Sequence, residues 1–272
     1  MTRAASALEV INAGWSTSVQ DLGRPGHAAV GLGAAGTVDP VGMARLNQAV
    51  GNRPDAPIIE TGGGLALRAH TPVMCIATGW MAPIAFGVGE TISIPVSSTR
   101  RWSQVAIAGG IDGPSILGSL SADTAARIVP VEMIEGSAVG LGDAVEAAPI
   151  DVTADVRATG VVRVWPGPRG DYLVEDALTS LCREPFILGE ASRVGVRLTG
   201  RRLARADAQE LPSEGLVPGA IQVPHDGMPI VMGPDHPVTG GYPVVGVVDP
   251  RDLWLVWCGA MGAQVRFVPR VD

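Results

Sequence analysis

The sequence contains no lysine: all 20 of its basic residues are arginine. That absence removes a Walker lysine, a Schiff-base lysine and any lysine on which biotin could be carried. Aromatic residues make up only 4% of the chain and charged residues 17%. There are three cysteines, Cys75, Cys182 and Cys258, far apart and with no CxxC pair, so an even disulfide framework is excluded and buried, reduced thiols are expected. The four histidines, His27, His70, His225 and His236, show no HxH or HxxxH spacing, so no metal site is expected. No GxSxG elbow occurs, which argues against an α/β-hydrolase triad. The longest uncharged stretch, residues 69–89, is broken by Pro72, Gly79, Pro83 and Gly87 and reads as buried strands and turns rather than a membrane span. The first residues show no long apolar signal segment, and a cytoplasmic location is expected.

What is abundant points to β-structure. Glycine (36) and proline (22) are far above ordinary usage and mark many tight turns, while 46% hydrophobic residues supply a core. The net charge of −7 offers no basic surface for nucleic acid. Residues 161–165 and 264–268 alternate with period two, as half-buried strands do. Residues 73–77, 91–94, 105–108 and 244–248 are apolar runs bounded by Gly or Pro, suited to strands buried on both faces. Three helices are expected: after Asp39-Pro40, with Met43, Leu46 and Val50 inward and Gly51-Asn52 as the stop; after Asp171, with Val174, Ala177, Leu178 and Leu181 on one face; and after Asp249-Pro250, with Leu253, Val256 and Trp257 inward. The polar stretch near 149–160 suggests two domains, 1–155 and 156–272. The reading is a mainly β protein with a few short helices.

Several segments carry candidate chemistry. Val19-Gln20-Asp21-Leu22-Gly23-Arg24-Pro25-Gly26 is a glycine-bearing turn, either closed by an Asp21–Arg24 pair or holding one of the two at a cleft rim. Residues 31–36, Gly-Leu-Gly-Ala-Ala-Gly, look like a phosphate-cradling loop, but no lysine follows and Asp39 would repel a phosphate at the next helix. Arg193, Arg197, Arg201 and Arg205 recur every four residues, yet Gly195 and Gly200 interrupt them; residues 193–198 read as a strand and the later arginines as solvated charge. Residues 213–243 are the richest. Asp226-Gly227 signals a hairpin between residues 221–223 and 230–232. Gly240-Gly241 allows close backbone approach or an anion nest, and Pro243 argues against a mid-strand position. The segment is either a pair of ordinary hairpins or a site. Read as a site, Asp235 is the leading general base, with Asp226 and Tyr242 also catalytic. Arg193, Gln222, Thr239, Gly240 and Gly241, together with Arg24 and Asp39 from the N-terminal half, bind substrate.

Taken in order, the chain resembles the biotin-dependent carboxyltransferase-like family, whose members include 5-oxoprolinase subunits, the KipI antagonist (KipA) and allophanate hydrolase subunit 2. The resemblance is carried by residues 19–26, Asp39, Leu46-Asn47, Val50-Gly51-Asn52 and Glu60. Ala108-Gly109-Gly110-Ile111-Asp112, Leu117-Gly118-Ser119, Pro166-Gly167-Pro168 and Ser192-Arg193-Val194-Gly195 continue it. Residues 219–224, Asp226-Gly227 and Thr239-Gly240-Gly241-Tyr242-Pro243 complete it. The family usually has a lysine where Val244 stands here. The resemblance implies a cyclophilin-like β-barrel architecture and a hydrolase activity, the ATP-dependent cleavage of 5-oxoproline to glutamate. It also implies a KipI-like protein as partner and a third, larger subunit that opens the lactam, with ATP and magnesium used by the assembly. Two alternatives are a non-catalytic regulator that binds KipI and a carboxyltransferase-type subunit of urea degradation that meets biotin on another chain.

Overall fold

The computed structural model describes residues 7–143, 160–206 and 211–270. Among these, the chain forms two compact units: residues 7–24, 35–123 and 127–143 in the first, and 25–34, 124–126, 160–206 and 211–270 in the second. All but the last residue of the expected boundary, 149–160, lie outside the described residues. No helix among the described residues is long and apolar enough to cross a membrane.

The first unit holds strands β1 (Leu8–Asn12), β2 (Ser18–Gln20), β3 (Ile58–Thr61), β4 (Leu65–Ala69), β5 (Val73–Ala77), β6 (Ile84–Phe86), β7 (Thr91–Ile94), β8 (Ser103–Ile107), β9 (Ile111–Asp112) and β10 (Ala138–Leu141), with helix α1 (Pro40–Ala49). They form two five-stranded antiparallel sheets, β7-β4-β1-β10-β9 and β2-β3-β8-β5-β6. Leu8, Val10, Leu67 and Ile92 of one sheet share a single apolar cluster with Val19, Ile59, Cys75 and Val105 of the other. On the outer face of the second sheet, Ile58, Ile76 and Ala106 pack against Met43, Leu46, Ala49 and Val50 of α1 and its C-cap. All five residues of β8 are therefore buried, with alternate residues serving different clusters. β7 differs from the expectation of two buried faces. It is an edge strand, and its residues alternate between exposed and buried.

α1 begins where the sequence places it. The Asp39 carboxylate accepts from Gly42 N (2.8 Å), and Pro40 occupies the first turn. Its end is tied down by side chains. Asn47 donates to Ala56 O (2.7 Å), and Asn52 donates to both Asn47 Oδ1 (2.9 Å) and Ile107 O (2.8 Å), after Gly51 has turned the chain at a φ of 78°. At position 42, close packing outweighs helix propensity. A Cβ on Gly42 would lie 2.5 Å from Asp39 Oδ2 and 2.9 Å from Gln104 Oε1. Alanine in place of glycine ordinarily stabilises a helix by about 0.5–1 kcal/mol. Here Gly42→Ala is expected to destabilise by about 1 kcal/mol, because the cap must move. A urea midpoint at or above that of the parent would refute this.

The second unit holds β11 (Val161–Pro166), helix α2 (Ala177–Arg183), β12 (Phe186–Ala191), β13 (Gly195–Thr199), β14 (Glu214–Gly215), β15 (Ala220–Gln222), β16 (Ile230–Met232), β17 (Thr239–Gly240), β18 (Val244–Val248), helix α3 (Leu253–Trp257) and β19 (Gln264–Pro269). Seven strands close a barrel in the order β11-β18-β15-β16-β13-β12-β19, sealed by the parallel pair β11–β19. β14 and β17 form a separate two-stranded ribbon. The period-two strands alternate buried and accessible residues, and Val162, Val164, Leu188, Val196, Leu198, Ile221, Val231 and Phe267 are fully or almost fully buried. The fold is mostly β with three helices, as the sequence indicates.

Two helix starts shift. Asp171 lies in a 3₁₀ turn, Gly170–Tyr172, and Asp176 caps α2 through Thr179 N (2.7 Å). Val174 is consequently exposed and Leu173 buried in its place. Asp249 does not cap α3; it closes a turn onto Arg251 N (3.0 Å), and the helix begins three residues later than the Asp-Pro signal suggests.

Candidate functional site

Eight of the ten candidate residues lie on the barrel unit, and two lie in the first unit. In the first unit, the Asp21 carboxylate accepts from Gly23 N (2.7 Å), Leu120 N (2.7 Å) and the hydroxyls of Ser119 and Ser121 (both 2.6 Å). Arg24 is almost fully buried and donates to the carbonyls of Ile116 and Ser121. The expected Asp21–Arg24 pair is not formed. Each side chain instead clamps the turn onto residues 116–121, because backbone groups there need partners once buried.

Asp39 has two tasks. One oxygen caps α1, and the other receives Arg100 Nη2 (3.1 Å). Around it, Gln104 Nε2 donates to Thr37 Oγ1 (2.6 Å) and Asp39 O (3.0 Å), and Thr37 donates to Glu60 Oε2 (2.9 Å). Thr37, Arg100 and Gln104 of this buried network escaped the sequence reading, for no motif marks them. The N-terminus of α1 is already occupied by the Asp39 carboxylate, which would repel a phosphate there.

In the barrel unit, Arg193 and Asp235 are brought together. They form a two-pronged ion pair, Nε–Oδ2 and Nη2–Oδ1 both 3.0 Å, at 2% and 0% side-chain exposure. Thr124 N (2.9 Å) and Thr124 Oγ1 (2.8 Å) also donate to Asp235 Oδ2. Arg193 precedes β13 instead of lying within it. Asp226 is at the tip of the β15–β16 turn, half exposed, where Met228 N and Arg197 hold its carboxyl below the usual range. Asp226 and Gln222 share a hairpin but turn to different partners.

Gln222, Gly240 and Tyr242 do converge. Gln222 Nε2 donates to Tyr242 O (3.2 Å), and a Cβ on Gly240 would lie 2.6 Å from that same nitrogen. A side chain at 240 would displace the ends of Gln222 and Leu216. Neither Gly240 nor Gly241 has a positive φ, so the anion nest is not formed, and Thr239–Gly240 is the short strand β17 despite Pro243 nearby. Tyr242 stands exposed against the edge of His225, whose Nδ1 lies 2.9 Å from Arg205 Nη1. His225 and Arg205 were not among the sequence candidates. Glu214, opposite Gly240 in the ribbon, is clasped by Arg169, which lowers its pKa. Val244 is buried against Leu216, Ala220 and Met232 in an apolar setting. Burial pushes the Cys75 thiol up to about 12, and burial together with Asp176 pushes Cys182 to about 11, so neither is a thiolate nucleophile near neutral pH.

A closed barrel in one unit, two packed sheets in the other and a buried Gln222 behind the exposed Tyr242–His225 pair define a carboxyltransferase-type module. The chain belongs to the family of the carboxyltransferase domain, subdomain A and B, which matches residues 30–269. It is 33% identical over 288 aligned residues to the C subunit of 5-oxoprolinase from Escherichia coli (strain K12), covering 96% of this chain and 90% of that one. It is 28% identical to urea amidolyase of Lachancea kluyveri, covering 97% of this chain but 17% of the relative. The crystal structure of TTHA0988 superposes with a TM-score of 0.86 at 29% identity, over 97% of this chain and 55% of that one; this chain thus spans little more than half of that solved protein.

Proposed function

We propose that this chain is part of an ATP-dependent 5-oxoprolinase that opens the lactam of 5-oxoproline to glutamate, working with a KipI-like protein and a larger, lactam-opening subunit. The observation that carries this reading is the end-to-end match to the C subunit of 5-oxoprolinase, 96% of one chain against 90% of the other. The match to urea amidolyase involves a small part of a much longer enzyme. In this reading ATP and magnesium are used by the assembled complex, and no lysine of this chain takes part because it has none. Biotin, in the competing carboxyltransferase reading, would have to arrive on another chain. An ATP-consuming assembly of this kind belongs in the cytoplasm.

The chain's contribution in this reading is to bind and orient the small substrate with fixed donors, chiefly at the Gln222–Tyr242 end of the barrel, while the amide chemistry is shared across subunits. The test is ATP-dependent glutamate release from 5-oxoproline by the co-purified complex. The isolated chain is expected to be inactive, and omission of it should abolish turnover by the others. Unchanged glutamate release without this chain, or carboxyl transfer from carboxybiotin in place of lactam opening, would overturn the assignment.

A further inference from the structure

His225 sits on the turn between β15 and β16, and Tyr242 on the return of the chain before β18. Their rings meet edge to face, with centroids 5.9 Å apart and planes at 89°. Both side chains are exposed, Tyr242 at 41%. Among the described residues the Tyr242 hydroxyl and His225 Nε2 make no other hydrogen bond. The backbone of Tyr242 is anchored by its carbonyl, which accepts from Gln222 Nε2 at 3.2 Å.

The contact between Arg205 Nη1 and His225 Nδ1, at 2.9 Å, decides the state of the imidazole. A guanidinium has donors only and keeps its charge at any ordinary pH. The contact is a hydrogen bond only if Nδ1 offers a lone pair. The ring hydrogen of the neutral imidazole then resides on Nε2. Arg205 thereby makes His225 an outward hydrogen-bond donor and deprives it of the tautomer in which Nε2 accepts. Among the described residues, the adjacent Asp226 carboxylate faces Arg197 and Met228 N.

We infer that His225 Nε2–H and Tyr242 O–H together bind the carboxylate of a small acid, with Arg205 as the positioning residue that fixes the donor tautomer. Two exposed donors on neighbouring rings offer one hydrogen bond to each oxygen of a carboxylate. The identity of the acid as 5-oxoproline rests on the function proposed above; the site itself does not.

The test uses the full chain with ¹⁵N-labelled histidine and long-range ¹H–¹⁵N correlation spectra. His225→Asn identifies the His225 signals among those of the four histidines. The expected spectrum shows the Nε2–H tautomer, with an Nε2 shift on adding succinate or 5-oxoproline and none with uncharged 2-pyrrolidinone. Arg205→Gln, whose amide can donate or accept, should release the tautomer and weaken succinate binding about tenfold, while Arg205→Lys, a donor only, should retain both. Tyr242→Phe should weaken binding with the tautomer unchanged. An Nδ1–H tautomer in the parent protein, no response to succinate, or an equal response to 2-pyrrolidinone would overturn the inference. A response to succinate without one to 5-oxoproline would uphold this site and count against the 5-oxoprolinase reading.

Discussion

Replacing Asp235 by asparagine is expected to lower stability by about 3–5 kcal/mol, a large share of the roughly 5–15 kcal/mol that holds a domain together. The carboxylate is fully buried, and Arg193 beside it is 2% exposed. Asparagine keeps the volume but removes the charge that balances the guanidinium, and its amide group is a poor acceptor for the combined Arg193 and Thr124 donors. What remains is a buried guanidinium that has lost its two-pronged carboxylate partner, which is where the cost arises. Paired replacement of Arg193 and Asp235 by apolar residues of similar size should recover part of the loss. Chemical denaturation of the isolated chain measures the effect. The same variant tests the proposal that Asp235 is a general base. A protein that keeps its stability within about 1 kcal/mol yet loses all turnover in the complex would favour catalysis; a destabilised protein with proportionate turnover would favour a structural pair.

Asp249→Asn is expected to cost about 2 kcal/mol at neutral pH and little in acid. Asp249 is fully buried and receives Arg251 N, Nε and Nη2, each at 3.0 Å, together with Arg270, which also lies over the Trp165 ring. The Arg251 hydrogen bonds, aided by Arg270, hold its carboxyl well below the usual carboxylate range against the opposing effect of burial. Because the folded-state value is depressed, this stabilisation is present above the unfolded value of about 3.9 and is lost as pH falls toward the folded value. The gap between parent and variant should be complete from about pH 5 upward and narrow below about pH 4. Arg251 is more than half exposed, so the expected cost stays well under that for Asp235. A gap that persists unchanged at pH 3 would refute the electrostatic origin.

Local sequence signals were reliable where a single segment supplies its own geometry. Asp39-Pro40 starts a helix because its carboxylate reaches a backbone N–H three residues on, and Gly51-Asn52 ends it. Asp226-Gly227 closes the hairpin it signals: Gly227 N bonds to Pro224 O at 3.0 Å, and Gly227 has a φ of 72°. The same kind of signal misplaced α2, since Asp171 and Asp176 are both competent caps and only the packing of Leu173 and Leu181 selects between them. The site was legible in part. Gln222, Gly240 and Tyr242 do meet, but His225 and Arg205, which complete that cluster, carried no spacing that links them.

By itself, the sequence determined the mostly β architecture, the alternation of the barrel strands, the α1 cap and the exclusion of lysine chemistry, because each depends on neighbours within a few residues. Only the tertiary structure decided that Arg193 and Asp235 neutralise each other in the interior, that Arg24 and Asp21 face residues 116–121 instead of one another, and that Arg205 sets the tautomer of His225. These outcomes depend on which distant groups arrive within 3 Å once water is excluded. A buried charge takes the partner that the fold delivers, and separation along the chain does not name that partner.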